Sequence, residues 1–321
     1  MSELVDATEE PTVSIQPVVL PKKPRVWTVF VALLAAIVAA GIFQAVAVVA
    51  LVSIEIAQGA TAKAATEELP AKLATPAMFM MLAACGQLAF ALAVAVPAWL
   101  SPTPVRERLG VLPARPSWTV YPLAALATWF VLAIGIALAY ALALILPADL
   151  SVQKLFDKMT LVDAVPFVLF IALMPGVVEE LLFRGYVQRR LLQRWSPVTA
   201  IGVTSVLFAL VHVMPHAIVA VLPLGLWFGY AAWKSNSVLP TMVAHAFVNG
   251  SLNAWRMIAK FGEISEPIQL VVVILAVLVG LVCFVLLLRI LNRSYAGEAL
   301  RNGAKFDSAL VGTSELAEPP T

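Results

Sequence analysis

Charge is what this sequence has least of. Asp, Glu, Lys and Arg make up 12% of its 321 residues, about half the share of a soluble domain, which carries about 25%. Neither sign dominates: 21 basic residues face 19 acidic ones, a net charge of +2. That leaves no electrostatic footprint for gripping nucleic-acid phosphates. Cysteine is nearly absent, and both copies, Cys85 and Cys283, sit inside apolar runs. A disulfide framework or a zinc knuckle needs more of them at closer spacing, so they read as small apolar residues. Internal repeats are missing too. These absences exclude a soluble enzyme, a nucleic-acid binder and a disulfide-stapled secreted domain. What remains is apolar: 61% of residues are hydrophobic and the mean hydropathy is +0.94. The chain reads as a polytopic membrane protein of the all-α class.

Unbroken apolar runs place eight transmembrane helices, at 26–53, 77–100, 118–147, 163–194, 197–214, 217–233, 238–258 and 268–291. A span needs about 20 apolar residues. Residues 1–25 read as a disordered polar tail, 26–293 as one integral membrane domain, and 294–321 as a second disordered tail. The first apolar run is too long for a cleaved signal peptide. With eight spans both termini share one side of the bilayer. That side collects 14 Lys and Arg. The other has six, Lys63, Lys72, Lys154, Lys158, Arg256 and Lys260. The bias puts both termini in the cytoplasm, with a bacterial cell membrane as the expected setting and lipid as the surrounding partner.

Acidic residues avoid the interior of seven of these runs. The fourth breaks the pattern with Pro175-Gly176-Val-Val-Glu179-Glu180-Leu-Leu-Phe-Arg184. Each charge at mid-membrane costs roughly 2.5–3.5 kcal/mol on insertion scales, so all three must face the bundle interior or a water pocket. Glu180 and Arg184 are four apart and pair on one helix face. Glu179 lies about 100° around the helix and cannot use that partner equally well. An acid without a full partner in a low-dielectric site suits a general base. Pro175 cannot donate to the Ile171 carbonyl, so a kink is expected one turn before the acids.

The three histidines, His212, His216 and His245, fall within 34 residues. His212 ends the fifth run. His245 and Asn249 are four apart on the seventh and project from one face, where both can donate to one point. His216 follows Pro215 in a turn and is left out of the set. Glu179 and His212 flank Trp195 by 16 and 17 residues. Each therefore lies roughly 25 Å from the same turn at about 1.5 Å per residue, and a hairpin can bring them together.

Taken in order, Glu179-Glu180-x-x-x-Arg184, Phe208-x-x-x-His212 and His245-x-x-x-Asn249 resemble the CPBP group. That group comprises the type II CAAX prenyl endopeptidases and the bacterial Abi proteins linked to bacteriocin processing and self-immunity. The text between the motifs fits as well, from Gly225-Leu-Trp-Phe-Gly229 to Leu239-Pro240. The resemblance covers about residues 165–255. It implies an intramembrane endopeptidase acting on a membrane-associated or lipidated peptide. In that reading Glu179 and His212 activate water, His245 and Asn249 stabilise the oxyanion, and Glu180 and Arg184 support them. Such proteins are often called metalloproteases. Glu179, His212 and His245 are the candidate ligands, with a divalent metal such as zinc as the implied cofactor. There is no His-Glu-x-x-His motif, and the general-base and metal readings both stand at this point. Two other readings compete: a noncatalytic immunity or peptide-binding membrane protein, and a proton-coupled transporter. The second would show repeat symmetry.

Overall fold

A computed structural model describes residues 25–148 and 151–314, with side chains over 25–148 and 153–294. The described residues are all-helical and contain no strand. In chain order the helices are α1 (Trp27–Ala57), α2 (Ala62–Leu73), α3 (Pro76–Trp99), α4 (Val105–Leu109), α5 (Val120–Ala143) and α6 (Ser151–Lys158). Then come α7 (Leu161–Glu180), a π-helical segment (Leu181–Gln188), α8 (Arg189–Leu192), α9 (Pro197–Leu210), α10 (Pro215–Ser235), α11 (Leu239–Phe261) and α12 (Glu266–Ser314).

Local chemistry starts several of these helices. Pro76, Pro197 and Pro215 occupy first-turn positions, where the missing N–H costs nothing and φ is already helical. Thr160 and Asp163 form a reciprocal capping box ahead of α7, which satisfies donors that the first turn leaves free. Asn236 ends α10 in the left-handed region at φ 50°, a conformation that asparagine tolerates well.

Six helical stretches are long and apolar enough to cross a membrane: α1, α3, α5, the continuous run Leu161–Leu192, α10 and residues 266–294 of α12. The chain is an integral multi-pass membrane protein. Two of the eight expected spans fall outside this set. The run 197–214 yields a 14-residue α9, about 21 Å long at 1.5 Å per residue, against a hydrocarbon core of about 30 Å. α11 has 23 residues but carries His245, Asn249, Ser251, Asn253, Arg256 and Lys260. It is less apolar than those six because it carries so many polar side chains. The expected tail at 1–25 lies almost entirely outside the described residues. At the other end the backbone is helical through Ser314, in residues that the sequence reads as a disordered tail. After Pro267, in the first turn, no proline follows up to Ser314, and Ala, Leu, Glu, Arg and Lys in that stretch favour helix.

α5 packs against α10, α11 and α12, and α7 packs against α3 and α11. The α7–α11 contact is a seam of small residues. A Cβ added to Gly176 would lie 2.9 Å from that of Ala246, and one added to Gly250 would lie 3.1 Å from that of Ala172. Ala172 and Gly176 thus face Gly250 and Ala246 in antiparallel order. Small residues four apart let helix backbones approach closely in a membrane, where no hydrophobic force separates helix from lipid. Lys260, near the end of α11, donates to the carbonyls of Phe156, Asp157 and Met159 at 2.8–2.9 Å. It ties the C-terminal end of α6 to α11.

Candidate active site

The α7–α11 seam brings the acidic pair of α7 against the polar face of α11. Glu180 is completely buried. Its Oε1 accepts from Arg184 Nη1 at 2.8 Å and from His245 Nδ1 at 3.0 Å. Arg184 sits in the π-helical segment, yet it still reaches back to Glu180 as the i, i+4 spacing predicts. Its Nη2 donates to the Gly225 carbonyl at 3.0 Å. Its guanidinium lies 4.2 Å from the centroid of Phe208 and 5.3 Å from that of Phe228, so aromatic faces complete its surroundings. One turn on, Gln188 Nε2 donates to the Gly229 carbonyl at 2.8 Å. Two side chains four apart thus grip two glycine carbonyls four apart on α10. π-helical turns are rare and recur at functional sites. This one carries Arg184 and Gln188 toward the same helix.

Glu179 points another way, as its 100° offset predicts. It is buried, and its Oε1 accepts from Gln87 Nε2 of α3 at 2.7 Å. Its Oε2 is buried with no protein partner among the described residues. Pro175 does not interrupt α7, which continues helically to Glu180. The Ile171 carbonyl that Pro175 leaves unpaired accepts instead from Asn249 Nδ2 of α11 at 3.2 Å. The acceptor freed by this proline is therefore satisfied by an interhelical hydrogen bond. Asn249 keeps its second amide hydrogen.

His212 follows α9. Its Nδ1 lies 3.0 Å from the Phe208 carbonyl. A carbonyl only accepts, so Nδ1 carries the proton and Nε2 of the neutral ring is the lone-pair nitrogen. The same argument applies to His245, whose Nδ1 faces the Glu180 carboxylate. Its Nε2 holds a lone pair in the neutral ring and donates in the imidazolium. Phe228 stacks on the His245 ring at 5.3 Å between centroids, and Phe208 meets it edge-on at 5.8 Å.

Glu179, His212, His245 and Asn249 line one cavity of about 340 Å3. Glu180 and Arg184 lie behind it, buried. Sequence reasoning missed Gln87, Asn253 and Arg256, which line the same cavity. Gln87 was detectable, because it is the one amide side chain in the apolar run of α3, and intramembrane polar residues mark pathways and sites. Asn253 and Arg256 continue the His245 face of α11 at further helical spacing.

The metal ligand set implied by the resemblance is not gathered into a coordinating group among the described residues. Among the described residues no group of three His, Cys, Asp or Glu side chains is placed to hold a metal ion. Glu179, His212 and His245 share the cavity without forming such a group.

No curated protein and no solved structure matches the chain. Residues 161–251 match the family model described as Type II CAAX prenyl endopeptidase Rce1-like. That stretch holds all seven motif residues, from Glu179 to Asn249, and the match supports its resemblance to the CPBP intramembrane proteases.

Proposed function

We propose that the chain is an intramembrane endopeptidase that hydrolyses a peptide bond in a membrane-associated or lipidated peptide or protein. The observation that carries this reading is the buried Glu179 carboxylate, with one unpartnered oxygen, in a cavity that also holds His212, His245 and Asn249. Amide hydrolysis needs a base for water and donors aimed at the developing oxyanion. Glu179 is the base in this mechanism. His212, with Nε2 as its lone-pair nitrogen, assists proton movement beside it. His245 and the second hydrogen of Asn249 face the oxyanion. Glu180 and Arg184 orient His245 rather than touch the substrate. Each step uses these side chains and water. The Lys and Arg distribution supports an orientation with both termini in the cytoplasm.

The test is cleavage of a farnesylated reporter peptide, and of a panel of unmodified apolar peptides, by purified protein in liposomes. Mass spectrometry identifies the products. Glu179→Gln is expected to lower turnover about 10²–10⁴-fold, the usual worth of a general base, with circular dichroism unchanged. Equal turnover by the Gln variant overturns the reading. Rescue of a deletion strain by that same variant would favour a peptide-binding role.

A further inference from the structure

Two buried acceptors in the cavity have no protein partner among the described residues, and the mechanism uses only one of them. The 2.7 Å bond from Gln87 Nε2 to Glu179 Oε1 sets how the amide lies, because a carboxylate accepts and must meet the NH2 end. Gln87 Oε1 and Glu179 Oε2 remain. Both are buried, and neither has a protein partner among the described residues. Gln87 is 8% exposed and Glu179 7%. A buried acceptor left unsatisfied costs about 1–3 kcal/mol, and here two belong to groups already joined by one hydrogen bond. Both residues line the cavity that holds His212, His245 and Asn249. Two neighbouring acceptors match the two protons of a water molecule. Water held by both protons turns its lone pairs away from the carboxylate and the amide.

We propose that Gln87 and Glu179 together bind the attacking water, Glu179 Oε2 accepting one of its protons and Gln87 Oε1 the other. The chemistry rests on the endopeptidase reading, whereas the new member comes from α3, outside the matched residues 161–251. In the first step the water O–H bond facing Glu179 breaks and the proton passes to Oε2. The freed electron pair forms the C–O bond to the substrate carbonyl carbon. The carbonyl π pair moves onto its oxygen, toward His245 and Asn249. On collapse that oxygen re-forms the double bond and the C–N bond breaks. The leaving nitrogen takes the proton from Glu179. The second water proton stays on the new carboxyl group until solvent removes it. Gln87 never changes protonation; it aims the water and donates to the ionised form of Glu179.

A packing amide would account for the Gln87–Glu179 bond alone, so the test needs readouts that packing would not move. Gln87→Met keeps an unbranched chain of similar volume, and Gln87→Glu is isosteric should the first variant fold poorly. Glu180, Arg184, His212, His245 and Arg256, the other ionisable groups in or behind the cavity, stay in place in both. With the farnesylated reporter peptide, Gln87→Met is expected to lower kcat about 10–100-fold, as for a nucleophile displaced by up to roughly 1 Å, with KM nearly unchanged. Unchanged kcat overturns the proposal. A second measurement needs no substrate: infrared spectra of the protein in deuterated water with and without oxygen-18. A bound-water O–D band sensitive to oxygen-18 should appear in the wild type and vanish in both Gln87→Met and Glu179→Ala. If the wild type cleaves nothing, the endopeptidase reading fails while this band still decides the water site. A band absent from the wild type, or retained in Gln87→Met, overturns it.

Discussion

Arg184 is the largest side chain among those buried most completely, and it is charged. Its stability comes from Glu180, the Gly225 carbonyl and two aromatic faces acting together. Removing it leaves Glu180 as a buried carboxylate without its guanidinium partner. Breaking a buried pair from one side costs roughly 3–5 kcal/mol. Arg184→Ala should therefore lower the melting temperature in detergent sharply, with loss of folded protein exceeding loss of turnover per folded molecule. Arg184→Lys should restore only part of the stability, because an ammonium cannot reach two acceptors in a planar fork. At this scale the sequence was largely legible. The four-residue spacing of Glu180 and Arg184, and the offset of Glu179, follow from helix geometry alone. Gln87 was not legible by charge, because a neutral amide escapes a search for ionised residues in apolar runs.

Pro175 and Asn249 show how one element repairs another. α7 loses a hydrogen bond at Pro175, and α11 supplies the donor through Asn249. Asn249→Ala leaves the Ile171 carbonyl unsatisfied, a loss of about 1–3 kcal/mol. The double variant Pro175→Ala/Asn249→Ala regains an N–H within α7 and should recover thermal stability. Turnover should stay low if the second amide hydrogen of Asn249 serves the oxyanion, so a melt and a cleavage assay on the same three proteins separate the two roles. The seam between α7 and α11 makes a further prediction. Gly176→Val places branched carbon where Ala246 already sits 2.9 Å from an added Cβ. Overpacking of this kind costs about 1–3 kcal/mol, and here it pushes the acids from His245. Activity should fall more than in a variant destabilised equally elsewhere, such as one in α12. The π-helical segment was invisible in the sequence. Its residues have no composition that sets them apart from an α-helix, and its shape follows from the reach of Arg184 and Gln188 to α10.

For the whole molecule, the sequence revealed the class and blurred the count. Large apolar residues crowd the outer surface, among them Ile42, Val49, Ile134, Leu173 and Ile274, as a lipid-facing belt requires. The polar groups gather within. α11 falls short of a standard span because it carries the site, so hydropathy alone undercounts helices where the function lies. The distribution of Lys and Arg predicts that reporter domains fused to either end report a cytoplasmic location, and that a tag inserted at Gly59–Ala60 reports the opposite side. Reporters on opposite sides at the two ends would mean that an odd number of helices crosses the bilayer.

The α7–α11 seam has one more consequence. Alanine and glycine have no side-chain torsions to readjust, so the contact has no rotamers through which to relax. The spacing of the two backbones that carry Glu180 and His245 is then set at the seam, and side-chain repacking there cannot tune it. Any change in that spacing requires one whole helix to slide or tilt against the other.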